Sequence, residues 1–159
     1  MKKILLYSHD GRGAGHISRT IAIANGIKRN NPNFSVLVIS GSNLFNKLNK
    51  TEDIDYIKLP SYKTIISNNK VWTKKGPLGL DRFELSKIRG NLIYEVIKSY
   101  NPDVFIVEYF PAGKMNEIKK SFNYLKKINC KLYYGFRGVI GHKKNDCYRD
   151  IFNKKNAFI

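Results

Sequence analysis

Residues 8–16 read Ser-His-Asp-Gly-Arg-Gly-Ala-Gly-His, with three glycines at alternate positions and His16 closing the run. Placed between a strand and a helix, such a turn lets a ligand come close to the main chain. Glycine carries no side-chain bulk, and the free N–H groups that open the helix favour an anion. Gly13, Ala14 and Gly15 are therefore the expected phosphate- or substrate-binding residues; the competing reading is a turn that merely packs tightly. Glu108 and Arg137 stand where two further strands should end, on the side where open parallel sheets bind ligands. Arg137 offers a fork suited to phosphate or carboxylate, and the competing reading is an ion pair between the two or with solvent. His9 and Asp10 also line the first turn, where an Asp that stabilises the turn is the commoner role. Cys130 and Cys147 lack metal-type spacing, so neither a metal site nor a cofactor is expected.

Two familiar phosphate motifs fail against this turn. The glycine spacing is G-x-G-x-G, and the second strand ends in Ser40 rather than an acidic residue, which disfavours a dinucleotide. No Gly-Lys-Ser/Thr follows Gly11, which disfavours a P-loop.

The elements that must position these residues alternate. Lys3 to Ser8 is a short apolar run suited to a buried parallel strand, and His16 to Arg29 carries Ile17, Ile21, Ala24 and Ile27 at helical spacing. Phe34 to Ile39 reads as a second strand, Asn43 to Asn49 as a short helix and Asp55 to Leu59 as a third strand stopped by Pro60. Ser61 to Gly79 has no sustained period and reads as a long loop around Trp72. From Asp81 to Tyr100, Leu85, Ile88, Leu92, Val96 and Tyr100 recur at helical spacing before Asn101-Pro102 stops the helix. Val104 to Val107 is a strand, Met115 to Ile128 a basic amphipathic helix and Lys131 to Phe136 another strand. Asp146 to Asn153 suits a last helix, and Asn156 to Ile159 the beginning of one more strand. The expected fold class is α/β, a Rossmann-like doubly wound parallel sheet in a single domain over residues 1–159.

Hydrophobic residues make up 42% and charged residues 26% of the chain, which excludes a disordered polyelectrolyte, and no apolar run approaches a membrane span. The first apolar run is too brief for a signal-peptide core, so the expected location is the cytoplasm. The formal charge of +17 comes from 29 Lys and Arg against 12 acidic residues. It is spread over the whole chain beside abundant Asn and Ile, so genome bias explains it about as well as an anionic partner does. Lys63, Lys70, Lys74 and Lys75 near Trp72, and Lys119, Lys120, Lys126 and Lys127 on the basic helix, are the candidate contacts for peripheral membrane binding, although a solvated loop and an ordinary exposed helical face are the commoner reading of such charges. Nucleic acid is disfavoured as a partner, because no recognised RNA-binding aromatic signature or helix-turn-helix pattern occurs. The alternative function class is thus a non-catalytic basic module for nucleic acid or another polyanion, supported by charge alone.

The strand, Gly-rich turn and helix opening in Gly-His resemble the start of GT-B glycosyltransferases, especially the bacterial lipid-linked N-acetylglucosaminyl transferase of peptidoglycan synthesis and its predicted relatives. Tyr7-Ser8-His9-Asp10, Gly13-Ala14-Gly15-His16, Val38-Ile39-Ser40-Gly41-Ser42, Asp55 to Ser61, Pro102 to Val107 and Gly135-Phe136-Arg137 resemble, in order, a subgroup of those relatives. The resemblance covers nearly the whole chain but only the N-terminal half of such an enzyme. The chain departs from the subgroup at Glu108-Tyr109 and Arg137-Gly138, where the relatives carry Asp-Lys and Arg-Asp. The resemblance implies that this half holds a hydroxyl acceptor, lipid-linked in the named relatives, while an absent C-terminal half holds most of the nucleotide-sugar donor. It implies that His16 is the base that deprotonates the acceptor, with Glu108 as acceptor-orienting group or alternative base; the competing reading is a His16 that only caps the helix or packs. It also implies either a truncated product or a subunit completed by a partner chain.

Overall fold

The computed structural model describes residues 1–9, 13–67, 70–74 and 77–135. The expected helix at 146–153, the partial strand at 156–159 and Arg137 lie outside the described residues.

Five strands form one parallel sheet: β1 (Lys3–Ser8), β2 (Ser35–Ser40), β3 (Asp55–Lys58), β6 (Val104–Glu108) and β7 (Lys131–Gly135), in the order β3-β2-β1-β6-β7. Between β3 and β6 the chain inserts β4 (Lys63–Ser67) and β5 (Lys70–Lys74), an antiparallel pair. The helices are α1 (Gly15–Asn30), α2 (Phe45–Leu48), α3 (Arg82–Tyr100) and α4 (Phe122–Lys127). The fold class is as expected, Rossmann-like and doubly wound. Strand order reverses between β1 and β6, whose last residues Ser8 and Glu108 lie side by side in register. Ligands bind at such a reversal in open parallel sheets, beyond the carboxyl ends of the strands.

Alternation of side chains along β1 builds a core on each face. Ile4 and Leu6 pack with Ile17, Ile21 and Ala24 of α1 and with Phe45 of α2. Leu5 and Tyr7 point the other way, to Ile93 and Ile97 of α3 and Leu125 of α4. Basic Lys28 and Arg29 in the last turn of α1 complement the helix dipole. Asp81 caps α3, accepting from the Phe83 and Glu84 amides while the Glu84 carboxylate accepts from the Asp81 amide. Asn101 in the left-handed region ends that helix just before Pro102.

Three expectations need correction. The segment read as a loop around Trp72 contains the antiparallel pair β4–β5, because Thr64, Ile65, Ile66, Val71 and Thr73 are β-branched. The continuous helix expected over 115–128 is instead two 3₁₀ turns, 114–116 and 119–121, followed by the short α4. Gly113, Met115 and Asn116 have φ of 72°, 58° and 62°, which breaks any helix there and drives Glu117 and Ile118 inward. Finally, the buried face of α3 runs through Leu85, Arg89, Gly90, Ile93 and Ile97, while Ile88 and Leu92 are exposed.

Arg89 faces the core because Glu117 does. The two side chains are 0% exposed and form a bidentate pair, Nε to Oε2 at 2.6 Å and Nη2 to Oε1 at 2.8 Å. Tyr7 also donates to Glu117, as does Tyr62 at 3.2 Å, and Arg89 Nη1 donates to the Pro60 carbonyl at 2.5 Å. Gly90 permits this contact, since a Cβ there would meet the Glu117 carbonyl at 3.0 Å. Burial and the adjacent Glu117 charge push the Tyr7 and Tyr62 hydroxyls well above their ordinary pKa, so both remain donors.

Replacing Arg89 with Met leaves Glu117 charged and unpaired in the core and is expected to cost about 3–5 kcal/mol in chemical denaturation, whereas adding Glu117→Leu recovers most of that loss.

Candidate active site at the strand-order reversal

The site is built where β1 and β6 end and α1 begins. Ser8 is the last residue of β1, His9 follows it, and α1 starts at Gly15 so that His16 lies in its first turn. Ala14, the residue before α1, provides no side-chain cap, and the first turn carries no acidic residue, so the opening N–H groups of the helix have no side-chain acceptor from Ala14. A Cβ built at Gly13 or Gly15 would meet nothing within 4 Å. These two glycines are thus not required by packing against described residues, which favours the ligand-approach reading of the turn.

Glu108 is 3% exposed, and its carboxylate is the centre of the site. Arg19 donates to Oε1. His16 Nδ1 lies 2.6 Å from Oε2, and His9 Nδ1 lies 3.7 Å from the same oxygen. The structure therefore brings His16 and Glu108 together, one helical turn from Arg19, as partners in one cluster. Sequence reasoning missed Arg19, and it placed His9 on the first turn without giving it a part in the cluster. Arg19 had a signal, being three residues after His16 and so on the same side of the helix. His9 is 6% exposed, although it follows a strand at a position that reads as turn. Arg137 is outside the described residues; among those described, the ion-pair partners of Glu108 are Arg19 and the two histidines.

The carboxylate fixes the tautomer of His16. An ionised carboxylate only accepts, so the 2.6 Å contact requires the proton on Nδ1, and a neutral His16 then carries its lone pair on Nε2. Oriented in this way, the ring can take a proton from a hydroxyl while Glu108 and Arg19 hold it still. His9 is different. Burial, with the nearby His16 and Lys114 charges, lowers its pKa to about 3 against the pull of the Glu108 carbonyl, so it is neutral. The two imidazoles stand 4.0 Å apart between centroids, and Tyr109 and Phe110 wall them on the β6 side. Tyr109 has φ of 70°, and the Phe110 amide returns to the Glu108 carbonyl at 3.0 Å, a three-residue turn that costs a non-glycine residue some strain.

A second concavity lies beyond the carboxyl ends of β2 and β3. It has a volume of about 380 Å³ and is lined mainly by apolar groups, among them Leu59, Pro60, Leu78, Leu80 and Leu85, with Asn43 and Ser61 as polar contributors.

Solved structures with this architecture include a glycosyltransferase from Rickettsia africae, 22% identical with a TM-score of 0.57, over 97% of this chain and 34% of that one. The shared fold is Rossmann-like. A UDP-GlcNAc 2-epimerase from Methanocaldococcus jannaschii is 14% identical with a TM-score of 0.52, covering 92% of this chain and 34% of its own. The C-terminal domain of the PF1911 hydrogenase from Pyrococcus furiosus is also similar, at 14% identity and a TM-score of 0.50, over 84% of this chain and 90% of that domain. The chain thus spans about a third of the glycosyltransferase and the epimerase, and the hydrogenase domain shows how many chemistries use this frame. No protein-family profile and no functionally curated protein matches the sequence.

Gly15→Ala separates ligand approach from packing. Alanine at an uncrowded helix start is expected to leave thermal stability unchanged or raise it by up to about 1 kcal/mol, and a marked loss in a thermal melt would assign the glycine to packing instead.

Proposed function

We propose that this chain is the acceptor-side half of a glycosyltransferase that moves a sugar from a nucleotide-sugar to a hydroxyl acceptor, and that a second, donor-binding half completes the enzyme. The observation that carries this reading is the His16–Glu108 pair, oriented by Arg19, at the strand-order reversal of a fold shared with a glycosyltransferase and a UDP-GlcNAc 2-epimerase.

In a direct displacement, the acceptor hydroxyl gives its proton to His16 Nε2 as its oxygen bonds to the anomeric carbon, and the bond from that carbon to the nucleotide diphosphate breaks. Glu108 supports the charge that develops on the imidazole. The uncapped start of α1 at Gly13, Ala14 and Gly15 stabilises negative charge on the departing diphosphate. Arg137 is proposed as a further anion contact beside it. The apolar concavity at Leu59, Leu80 and Leu85 suits the non-reacting body of the acceptor, a lipid-linked one included, with basic residues such as Lys119 and Lys120 available to an anionic membrane surface. Among the described residues no helix is long and apolar enough to cross a membrane. The polyanion-binding alternative still rests on net charge alone.

The test assays the chain against a nucleotide-sugar panel, alone and with the complementary half of the enzyme. Transfer only in the mixture supports the division of labour. In that assembled enzyme His16→Ala is expected to lower turnover by about 10²- to 10⁴-fold, the usual worth of a general base, and Glu108→Gln by less. Near-normal turnover of a folded His16→Ala enzyme removes His16 from the mechanism.

A further inference from the structure

Buried polar atoms ordinarily find partners, and His9 Nδ1 does not. It is turned toward Glu108 Oε2, at 3.7 Å, without making a hydrogen bond. His16 Nδ1 contacts the same oxygen at 2.6 Å, and the two rings stand side by side, 4.0 Å apart between centroids. One ligand atom from each of His9, His16 and Glu108 can be chosen so that all lie within 4.8 Å of one another. We propose that His9, His16 and Glu108 form a three-ligand site for a divalent transition-metal ion of the zinc class, and that the ion and the general base compete for His16.

Donor chemistry selects the ion. Two imidazoles and one carboxylate suit Zn²⁺ or Co²⁺, whereas Mg²⁺ and Ca²⁺ prefer oxygen ligands throughout. Metal–ligand bonds of 2.0–2.1 Å in a tetrahedron place neighbouring donors about 3.3 Å apart. The His9 to Oε2 separation of 3.7 Å is already close to that, and the His16 to Oε2 contact of 2.6 Å must open by a fraction of an ångström. His16 is the least buried of the three, so this movement is the easiest available. Arg19 helps rather than hinders: by donating to Oε1 it leaves Oε2 as a single, oriented ligand, the arrangement that outer partners of metal ligands commonly impose. Three protein ligands leave a fourth position for water or another small donor.

Competition follows from the tautomer. As a base, His16 carries its proton on Nδ1 and its lone pair on Nε2. A metal bound through Nδ1 needs the opposite tautomer, which places the proton on Nε2 and removes the acceptor. The competition rests on the reading of His16 as base; the binding does not.

The experiment titrates the full chain, stripped with a chelator, with ZnCl₂ by calorimetry and with CoCl₂ by visible absorption. The expected results are one equivalent bound and a four-coordinate cobalt spectrum. His9→Gln and Glu108→Gln are each expected to weaken binding by more than about 100-fold, beyond what loss of an outer partner costs, and Arg19→Gln by about 10- to 100-fold. Absence of binding, an octahedral cobalt spectrum, or affinity unchanged in both His9→Gln and Glu108→Gln overturns the site. If binding follows the three ligands but His16→Ala leaves transfer intact, the base reading fails and the metal site stands.

Discussion

A carboxylate taken out of water has to be matched by charge and hydrogen bonds, and this protein meets that constraint twice, once on each face of the same sheet. On the α3 face, Glu117 is held by Arg89, Tyr7 and Tyr62. On the α1 face, Glu108 is held by Arg19 and His16. The two differ in how far their partners are withdrawn from solvent. Glu117 has every partner fixed in the interior, and it anchors an irregular segment that no secondary structure would otherwise order. Glu108 is held by partners that remain partly open to solvent, His16 and Arg19. The first carboxylate is a clamp; the second is a lever on an imidazole.

The alternation of strand and helix was legible because apolar runs and helical spacing are local signals. Lys3 to Ser8 and Asp81 to Tyr100 needed nothing beyond their own residues, down to the Asp81 cap. The placement of Glu108 and the 13–16 turn at one end of the sheet was also legible, since each follows or precedes a readable strand or helix. What escaped was non-local. Arg89 reads as the polar side of α3 until Glu117, 28 residues away, is known to meet it in the core. The same pair explains why residues 115–128 look helical by composition and yet are not one helix: Glu117 satisfies Arg89 only if the backbone turns through positive φ at Met115 and Asn116. His9 was hidden for a similar reason, because its burial is imposed by Tyr109 and Phe110, a hundred residues further on.

Each face of the sheet has its own core and its own buried carboxylate. The apolar concavity beyond β2 and β3 shares its lining with the clamp. Pro60 lines it and also accepts from Arg89, and Leu85 lies one helical turn before Arg89. The shape of that cavity is thereby tied to the packing of α3, so that substitutions at the buried pair act on the cavity wall as well as on stability.

The register of the central strands has a consequence for synthesis of the chain. Ile4 pairs with Val36 on one side and with Val104 on the other, so β1 waits for a neighbour one hundred residues downstream. Such long loop closures are slow, and a ribosome delivers the N-terminal strand long before that neighbour. Until β6 emerges, α1 presents His16 and Arg19 with no carboxylate to hold them, and one edge of β1 is bare. The imidazole therefore acquires its orientation only when β6 docks on β1, the same moment at which that edge of β1 ceases to be open to other chains.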